Sequence, residues 1–491
     1  MRTLLTARHV VGHENGRHCL LPNGEVVIEG DRIIFVGHHF PGDVAIRHDF
    51  GTALIGPGFI DLDALADLDT TILGFDNQPA WEKGRVWPKT YMDRGPYEMY
   101  SPEELAFQKK YAFAMLLRHG ITTALPIASL FYRRWGETVD EFAAAAEAAV
   151  DLGIRAYLGP AYRTGNMFID ETGSDGAGTI ACHYDEPRGL AELDAAIRFC
   201  RDHENTHGGL IRTMLAPDRI ETSTAELLRR TAAAGREMDI PVRLHCCQSK
   251  TEYDLVLQQH GMSPPEWLES LGFLSPRALL PHATWVSGSR GLDRPGRDLD
   301  IIGASGASIV HCPLVSARGG RALDSFSKYR ARGLNIGLGT DTWPADLLLN
   351  MQVGILLCRV MDGTAANVRA SDYYDAATIG GADALHRPDL GRLMPGAQAD
   401  ITVFNFAHPL IGQIIDPIQT LLVGGQGRDV TDVFVAGRHV VQNGALPGFD
   451  LAAAHTRAQA QFDNMVAKYP ERTWKHPPLG TIFPPSYPIR A

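Results

Sequence analysis

Four polar residues each follow a short aliphatic run that reads as a β-strand. His245 closes Val242-Arg243-Leu244, His282 closes Ala278-Leu279-Leu280-Pro281, His311 closes Ser308-Ile309-Val310, and Asp341 ends the stretch that begins at Asn335. Imidazoles and a carboxylate gathered in one place would bind a borderline divalent cation or exchange protons near neutral pH. Any one of them alone reads as readily as a polar side chain finishing a strand. Four strand ends in series favour a site.

The elements that would position them form a longer alternation. Glu103 to His119 has helical apolar spacing and precedes a strand-like Gly120 to Ala124; Val139 to Leu152 is an Ala-rich helix before Ile154 to Leu158; Thr222 to Met238 is a helix before Val242. Alternating strands and helices imply a parallel sheet, and the length suits a TIM-like (β/α)8 barrel better than a doubly wound sheet. In a barrel the C-terminal strand ends converge on one mouth, which would bring the four residues together.

The chain ends read differently. Val26 to Gly37 is a hairpin around Gly30-Asp31, and residues 399–404 and 430–441 are strand-like again. Two terminal blocks of short strands can make one small β-sandwich, because sheets need partners to cover their edges. The expected organisation is therefore an α/β protein in four parts. Residues 1–58 and 396–450 would build the sandwich, 59–395 the (β/α)8 barrel, and 451–491 a C-terminal helix with a Pro-rich tail. From Tyr469 that tail is expected to lie extended over the surface or a partner subunit.

Composition narrows the function classes. The chain has 491 residues, 45% of them apolar, enough for a large core and too many for general disorder. Lys and Arg number 46 against 57 Asp and Glu, a net charge of -11, which argues against nucleic-acid or anionic-membrane partners. No apolar run approaches the roughly 20 residues of a membrane span. The first residues lack a secretory h-region, and seven cysteines without a regular framework fit reduced thiols. A cytoplasmic enzyme acting on a small molecule is the expected class.

Other residues offer chemistry that competes with simpler explanations. Cys246 and Cys247 beside His245 suggest a nucleophile, but strand neighbours point to opposite faces, and a buried small hydrophobe explains them better. Asp61, Asp63, Asp67 and Asp69 lack the glycine and distal glutamate of a calcium loop. Trp81, Trp87 and Trp343 follow expected barrel strands and would stack on a flat substrate or simply pack. Arg318 and Arg219 would face a carboxylate or carbonyl, or solvent. Gly319-Gly320 lacks the strand-to-helix setting of a phosphate loop.

Several short motifs occur in a telling order. They are Gly56-Pro57-Gly58-Phe59-Ile60-Asp61, Gly120-Ile121-Thr122-Thr123, Leu244-His245, Leu280-Pro281-His282-Ala283, Val310-His311-Cys312-Pro313, Gly339-Thr340-Asp341, and Gly391-Arg392-Leu393 through Gly396-Ala397-Gln398-Ala399-Asp400-Ile401. Together they resemble the amidohydrolase superfamily, in the deaminase and chlorohydrolase-like branch of cytosine, guanine and triazine hydrolases. The resemblance covers nearly the whole chain. It implies a metal-dependent barrel with a small β-sandwich that hydrolyses C–N or C–Cl bonds in small heterocycles, often as a dimer or larger homo-oligomer.

The departures from that pattern fall on the chemistry. Where the family carries His-x-His on its first barrel strand, this chain has Asp63-Ala64-Leu65. Leucine offers no lone pair, while Asp63 still offers oxygen. Where the deaminases carry His-x-x-Glu, this chain has His245-Cys246-Cys247-Gln248, and an amide cannot shuttle a proton. Asp218 stands where the family often has a substrate-contacting histidine.

Two readings of the site follow. In one, Asp63, His245 and Asp341 hold one divalent metal (Zn, or Mn or Fe), with His282 a further ligand or the base that activates water. In the other there is no metal, and His282 and Asp341 form an acid–base pair. Catalysis falls to His282, Asp341 and Gln248; Asp218, Gln248, His311, Trp87, Trp343 and Arg318 are the substrate-binding candidates. The expected activity is hydrolysis of a C–N bond in a small cyclic metabolite. A metal-free lyase or isomerase, or a catalytically silent binding relative, stays open.

Overall fold

The structure is a computed structural model that describes all residues except 69–70, 72–85, 128, 172–177, 293 and 491, so Asp69 and Trp81 lie outside it. Eight strands, Phe59–Leu65, Ile121–Ile127, Arg155–Leu158, Ile211–Thr213, Val242–Arg243, Ala278–Pro281, Ser308–His311 and Ile336–Leu338, run parallel in one sheet. The last pairs with the first through Leu338 and Asp61. The remaining gap, between the fourth and fifth strands, closes where Leu215 N–H donates to the Pro241 carbonyl at 3.0 Å and Arg243 N–H donates to the Leu215 carbonyl at 2.9 Å. The sheet is thus a closed barrel whose strands follow chain order, the (β/α)8 arrangement.

The barrel helices start where the sequence supplies caps. Pro102–Arg118 begins with a Ser101–Glu104 capping box, and Val139–Leu152 begins at Thr138 and ends at the left-handed Gly153. The helix expected from Thr222 begins only at Ala225. Residues Ile220–Thr222 form a separate 3-10 turn, and the Thr224 hydroxyl caps the helix. Phe113, Leu116, Leu117 and Phe142 from these helices join Ile121, Ile154 and Leu158 in the largest buried cluster.

Both chain ends meet in a second eight-stranded sheet, in which Ala53–Pro57 pairs antiparallel with Ile401–Asn405. The expected hairpin is present, with Gly30 at φ 64° between Arg17–Glu29 and Arg32–Gly37. The strands alternate their loyalties, as a period of two requires. Ile55, Val403 and Phe434 enter a core belonging to this sheet, whereas Leu54, Phe404 and Val433 enter the barrel's core. A buried ion pair locks the two units: Arg155 Nε lies 3.0 Å from Asp400 Oδ2, and Arg155 Nη2 donates to Gln398 Oε1 at 3.0 Å.

The C-terminal segment departs from expectation. After the helix Leu451–Lys468, Tyr469–Arg472 and Leu479–Ile482 are helical, and Tyr469 and Ile482 are buried among Tyr100, Tyr132 and Met465. The aromatic and aliphatic side chains scattered among the prolines give this stretch something to bury, so as far as Phe483 it packs back onto its own chain, while residues 484–490 are exposed and without helix or strand. Among the described residues no helix is long and apolar enough to cross a membrane.

A candidate metal and active site at the barrel mouth

Four of the candidate residues come together where strands one, five, six and eight end. His245 Nε2 lies 3.5 Å from Asp63 Oδ2, His282 Nε2 lies 3.6 Å from Asp341 Oδ2, and the two imidazole rings stack at 5.5 Å. Ligand atoms of Asp63, His245 and His282 fall within 4.8 Å of one another, as do those of His282, Cys312 and Asp341. The backbone turns sharply at these positions. His282 sits at φ 80°, Asp341 at φ 48° and Cys247 at φ 60°, left-handed conformations that cost non-glycine residues energy and cluster at functional sites.

The electrostatics are those of a crowded, dry site. Burial, reinforced by the Asp63 charge, pushes the Asp341 carboxyl up to about 8. Burial alone would raise Asp63 as well, but the charges of His245 and Arg243 outweigh it and hold that carboxyl below its ordinary range. His245 is raised in turn: burial opposes its protonation, and the Asp63 carboxylate overcomes that. His282 falls well below the usual imidazole range because it is buried and faces His245.

These donors fit a divalent cation. His282 Nε2 and Asp341 Oδ2 are buried without a hydrogen-bond partner, an arrangement that costs energy unless a ligand satisfies it. The His245 Nδ1 is 2.7 Å from the Asp218 carbonyl, so in the neutral ring Nδ1–H donates there and Nε2 presents a lone pair toward Asp63. A carbonyl fixing the tautomer from behind is the usual support of a ligating histidine. Leu65 contributes nothing: its backbone N–H donates to Thr340 Oγ1 and its side chain lies in the core.

The remaining candidates are placed less centrally. His311 is turned away from the mouth; its ring packs on Phe326 and Tyr373, with Nε2 3.4 Å from the Tyr373 hydroxyl, and burial lowers it to about 3. Strand alternation gives the inward position to Cys312 instead, whose Sγ is 3.7 Å from Asp63 Oδ2. Trp87 is buried, with Nε1–H donating to the Phe131 carbonyl at 3.0 Å and Arg163 stacked on its ring at 5.4 Å. Arg318 braces the loop after the last strand, donating to Thr342 Oγ1 and to the Trp343 carbonyl. Trp343 is half-buried against Tyr111. Asp218 stays at the mouth, its Oδ2 3.8 Å from Arg163. Gln248 lies half-buried at the rim, its backbone N–H held by Glu252.

Two residues at the site were not singled out from the sequence. Arg243 Nε is 3.4 Å from Asp63 Oδ1. Its position two residues before His245 on one strand was the available signal, since such residues share a face. Glu252 accepts the backbone N–H of Cys247 at 2.5 Å and of Gln248 at 2.7 Å, fixing the turn that follows His245. Ser249-Lys250-Thr251-Glu252 is a capping-box pattern, and the Ser249 hydroxyl does accept from the Glu252 N–H at 3.1 Å. The glutamate side chain, however, reaches past Ser249 to the N–H groups of Gln248 and Cys247.

Comparisons with known proteins give the family and the fold. An 8-oxoguanine deaminase of Pseudomonas aeruginosa is 29% identical over 453 residues, covering 90% of this chain and 95% of that protein. A 5-methylthioadenosine/S-adenosylhomocysteine deaminase of Halobacterium salinarum is 24% identical over 455 residues, covering 91% and 95%. Among solved structures, a zinc complex of a variant atrazine chlorohydrolase from Arthrobacter aurescens superimposes with a TM-score of 0.77 at 23% identity, over 94% of this chain and 99% of that one. A zinc-bound adenosine deaminase from Xanthomonas campestris gives a TM-score of 0.75 at 20% identity, over 94% and 98%. The model of the amidohydrolase family matches residues 55–440, and the chain belongs to that family.

Proposed function

We propose that this protein hydrolyses a C–N bond (an amide, an amidine or an exocyclic amine) of a small cyclic metabolite, using one divalent ion held by Asp63, His245, His282 and Asp341. Zinc suits two imidazoles and two carboxylates, and manganese or iron would also fit. The observation that carries the reading is a pair of overlapping triads, Asp63–His245–His282 and His282–Cys312–Asp341, with His282 Nε2 and Asp341 Oδ2 buried and without a hydrogen bond. Relatives across nearly the whole length are deaminases of purine compounds.

An ion bound there would supply Lewis acidity and a water of lowered pKa. The chain's own residues do the rest. Asp341, ionised beside a cation, accepts a proton from water at its carboxylate oxygen and is placed to return it to the leaving nitrogen. Gln248 orients the substrate through its amide and leaves the proton transfers to Asp341. Asp218 and Trp343 offer a carboxylate and an aromatic edge on the substrate side of the mouth.

The test is an ammonia-release screen on 5-methylthioadenosine, S-adenosylhomocysteine, 8-oxoguanine and aminotriazines, run beside metal analysis of the purified protein. Turnover of at least one nitrogen heterocycle, abolished by chelation and restored by metal, is the expected result. Full turnover in metal-free protein would overturn the metal role. Metal-loaded protein inert toward every C–N substrate class would overturn the hydrolase.

One observation favours a second reading. Arg243 already sets a positive charge beside Asp63, where a metal would otherwise be the neutralising cation. Without metal, the lowered His282 and the raised Asp341 are poised as a neutral base and a protonated acid, the pairing a lyase or isomerase uses.

A further inference from the structure

The two oxygens of Asp63 are divided between different cationic partners. Oδ2 faces His245 Nε2 at 3.5 Å and the mouth, whereas Oδ1 faces Arg243 Nε at 3.4 Å. The guanidinium is anchored in that position. Its Nη1 donates to the Leu125 carbonyl at 2.8 Å and its Nη2 to the Pro126 carbonyl at 2.9 Å, and the side chain is 3% exposed. It therefore has neither slack nor solvent into which to retreat when another cation approaches the same carboxylate.

We propose that Arg243 is a built-in counter-cation for Asp63, which weakens the hold of the mouth on a divalent ion and keeps the barrel folded when the ion is absent. The inference rests on the metal reading above and adds to it that the ion is exchangeable. Two arguments support it. A fixed guanidinium on one oxygen restricts Asp63 to one-oxygen ligation and repels a dication on the other, in a setting too dry for solvent to screen the repulsion. Leu65 supplies no donor to compensate. Conversely, Asp63 is a fully buried carboxylate whose removal from water demands a neutralising partner, and Arg243 provides one whether or not metal is bound. Occupancy would then follow the free metal concentration.

The experiment measures Zn²⁺ affinity by competition with a chelating dye, in the wild-type protein and in Arg243→Gln and Arg243→Lys, after exhaustive chelation. Glutamine keeps a donor for the Leu125 or Pro126 carbonyl and removes the charge; lysine keeps the charge. Arg243→Gln should bind Zn²⁺ at least about tenfold more tightly than wild type, and Arg243→Lys within about threefold of it. The wild-type protein should remain folded by circular dichroism after chelation, whereas Arg243→Gln should lose thermal stability when stripped and regain it with Zn²⁺.

Equal or weaker affinity in folded Arg243→Gln overturns the inference and leaves the metal reading standing. Zn²⁺ binding by Arg243→Gln alone supports the inference and removes the resident metal from the wild-type protein. No binding by either overturns both. If neither variant folds, the wild-type measurement decides: unfolding of the stripped wild-type protein overturns the inference, and persistence of its fold supports it.

Discussion

The backbone N–H of Asp341 donates to the carbonyl of Asp63 at 2.9 Å, stitching the end of the last barrel strand to the end of the first. This main-chain bond holds two buried carboxylates in one small volume, where the ionised Asp63 resists the ionisation of Asp341. The barrel's closure and its most demanding charge problem are therefore the same feature. Thr340 strengthens the seam, its hydroxyl donating to Asp61 Oδ2 at 2.7 Å. A mouth built this way is rigid enough to hold donor atoms in place and unfavourable enough to want a cation.

The ligand set makes a direct prediction. Replacing His245 or Asp341 by alanine removes one of four donors, and metal content measured at one fixed free Zn²⁺ concentration should drop well below that of wild type in both variants. Turnover should fall by a hundredfold or more, the usual loss for a group that also moves protons. A silent binding relative would instead tolerate His282→Ala and Asp341→Asn with its biological activity intact.

Metal affinity should depend on pH with a definite sign. Asp341 stands at about 8 without metal, so below that pH an incoming ion must displace its proton. Affinity for Zn²⁺ should therefore rise from pH 6 to 8 by at least about tenfold per unit, because Asp341 and the raised His245 each have a proton to give up. Asp341→Asn should bind weakly and with a shallower slope, the remainder belonging to His245. A flat wild-type profile over this range would show that Asp341 does not ligate.

Much of this architecture could be read from the residues. Ser308–His311 and Val139–Leu152 have the bounds their patterns predict, because an aliphatic run and an Ala-rich repeat each admit one period. The strand-end rule gathered His245, His282 and Asp341. It overreached at His311, where the one-residue alternation that hands the inward position to Cys312 decides the outcome. Arg243 escaped because a charged residue inside a barrel strand looks like an exposed one until its partner is known, and that partner lies 180 positions away in the chain. The packed C-terminal segment was missed for a related reason. Prolines announce an extended chain, but Tyr469 and Ile482 bury against side chains remote in sequence.

The link between barrel and terminal sheet should show up in stability. Arg155 pairs with both oxygens of Asp400, at 3.0 and 3.1 Å, and also donates to Gln398 and to the Gly209 carbonyl, with every partner buried or nearly so. Arg155→Met keeps the apolar stem but strands Asp400, leaving it only the Ala436 N–H at 2.7 Å. Breaking one side of such a pair costs about 3–5 kcal/mol. Urea denaturation should show that loss. Because the double variant with Asp400→Asn removes the orphaned charge, it should recover part of it.

Glu252 offers the last test, and it joins stability to the site. Its carboxylate receives the N–H groups of Cys247 and Gln248, yet burial and the neighbouring Glu221 charge push it up to about 8. A carboxyl raised in the folded state stabilises fully below its unfolded pKa, and that contribution is lost as pH rises through the folded value. Metal-loaded wild-type protein should accordingly lose thermal stability as pH rises from about 5 to about 8, with the decline levelling off above that. Glu252→Gln cannot ionise and should flatten that decline. It also exchanges one acceptor for a donor facing a backbone N–H, costing about 1–3 kcal/mol at every pH. The two effects separate cleanly, since one changes the height of the stability curve and the other its slope. The same substitution loosens the left-handed turn at Cys247, immediately after His245, and should weaken Zn²⁺ affinity by about tenfold, the range found for residues that position a ligand from behind.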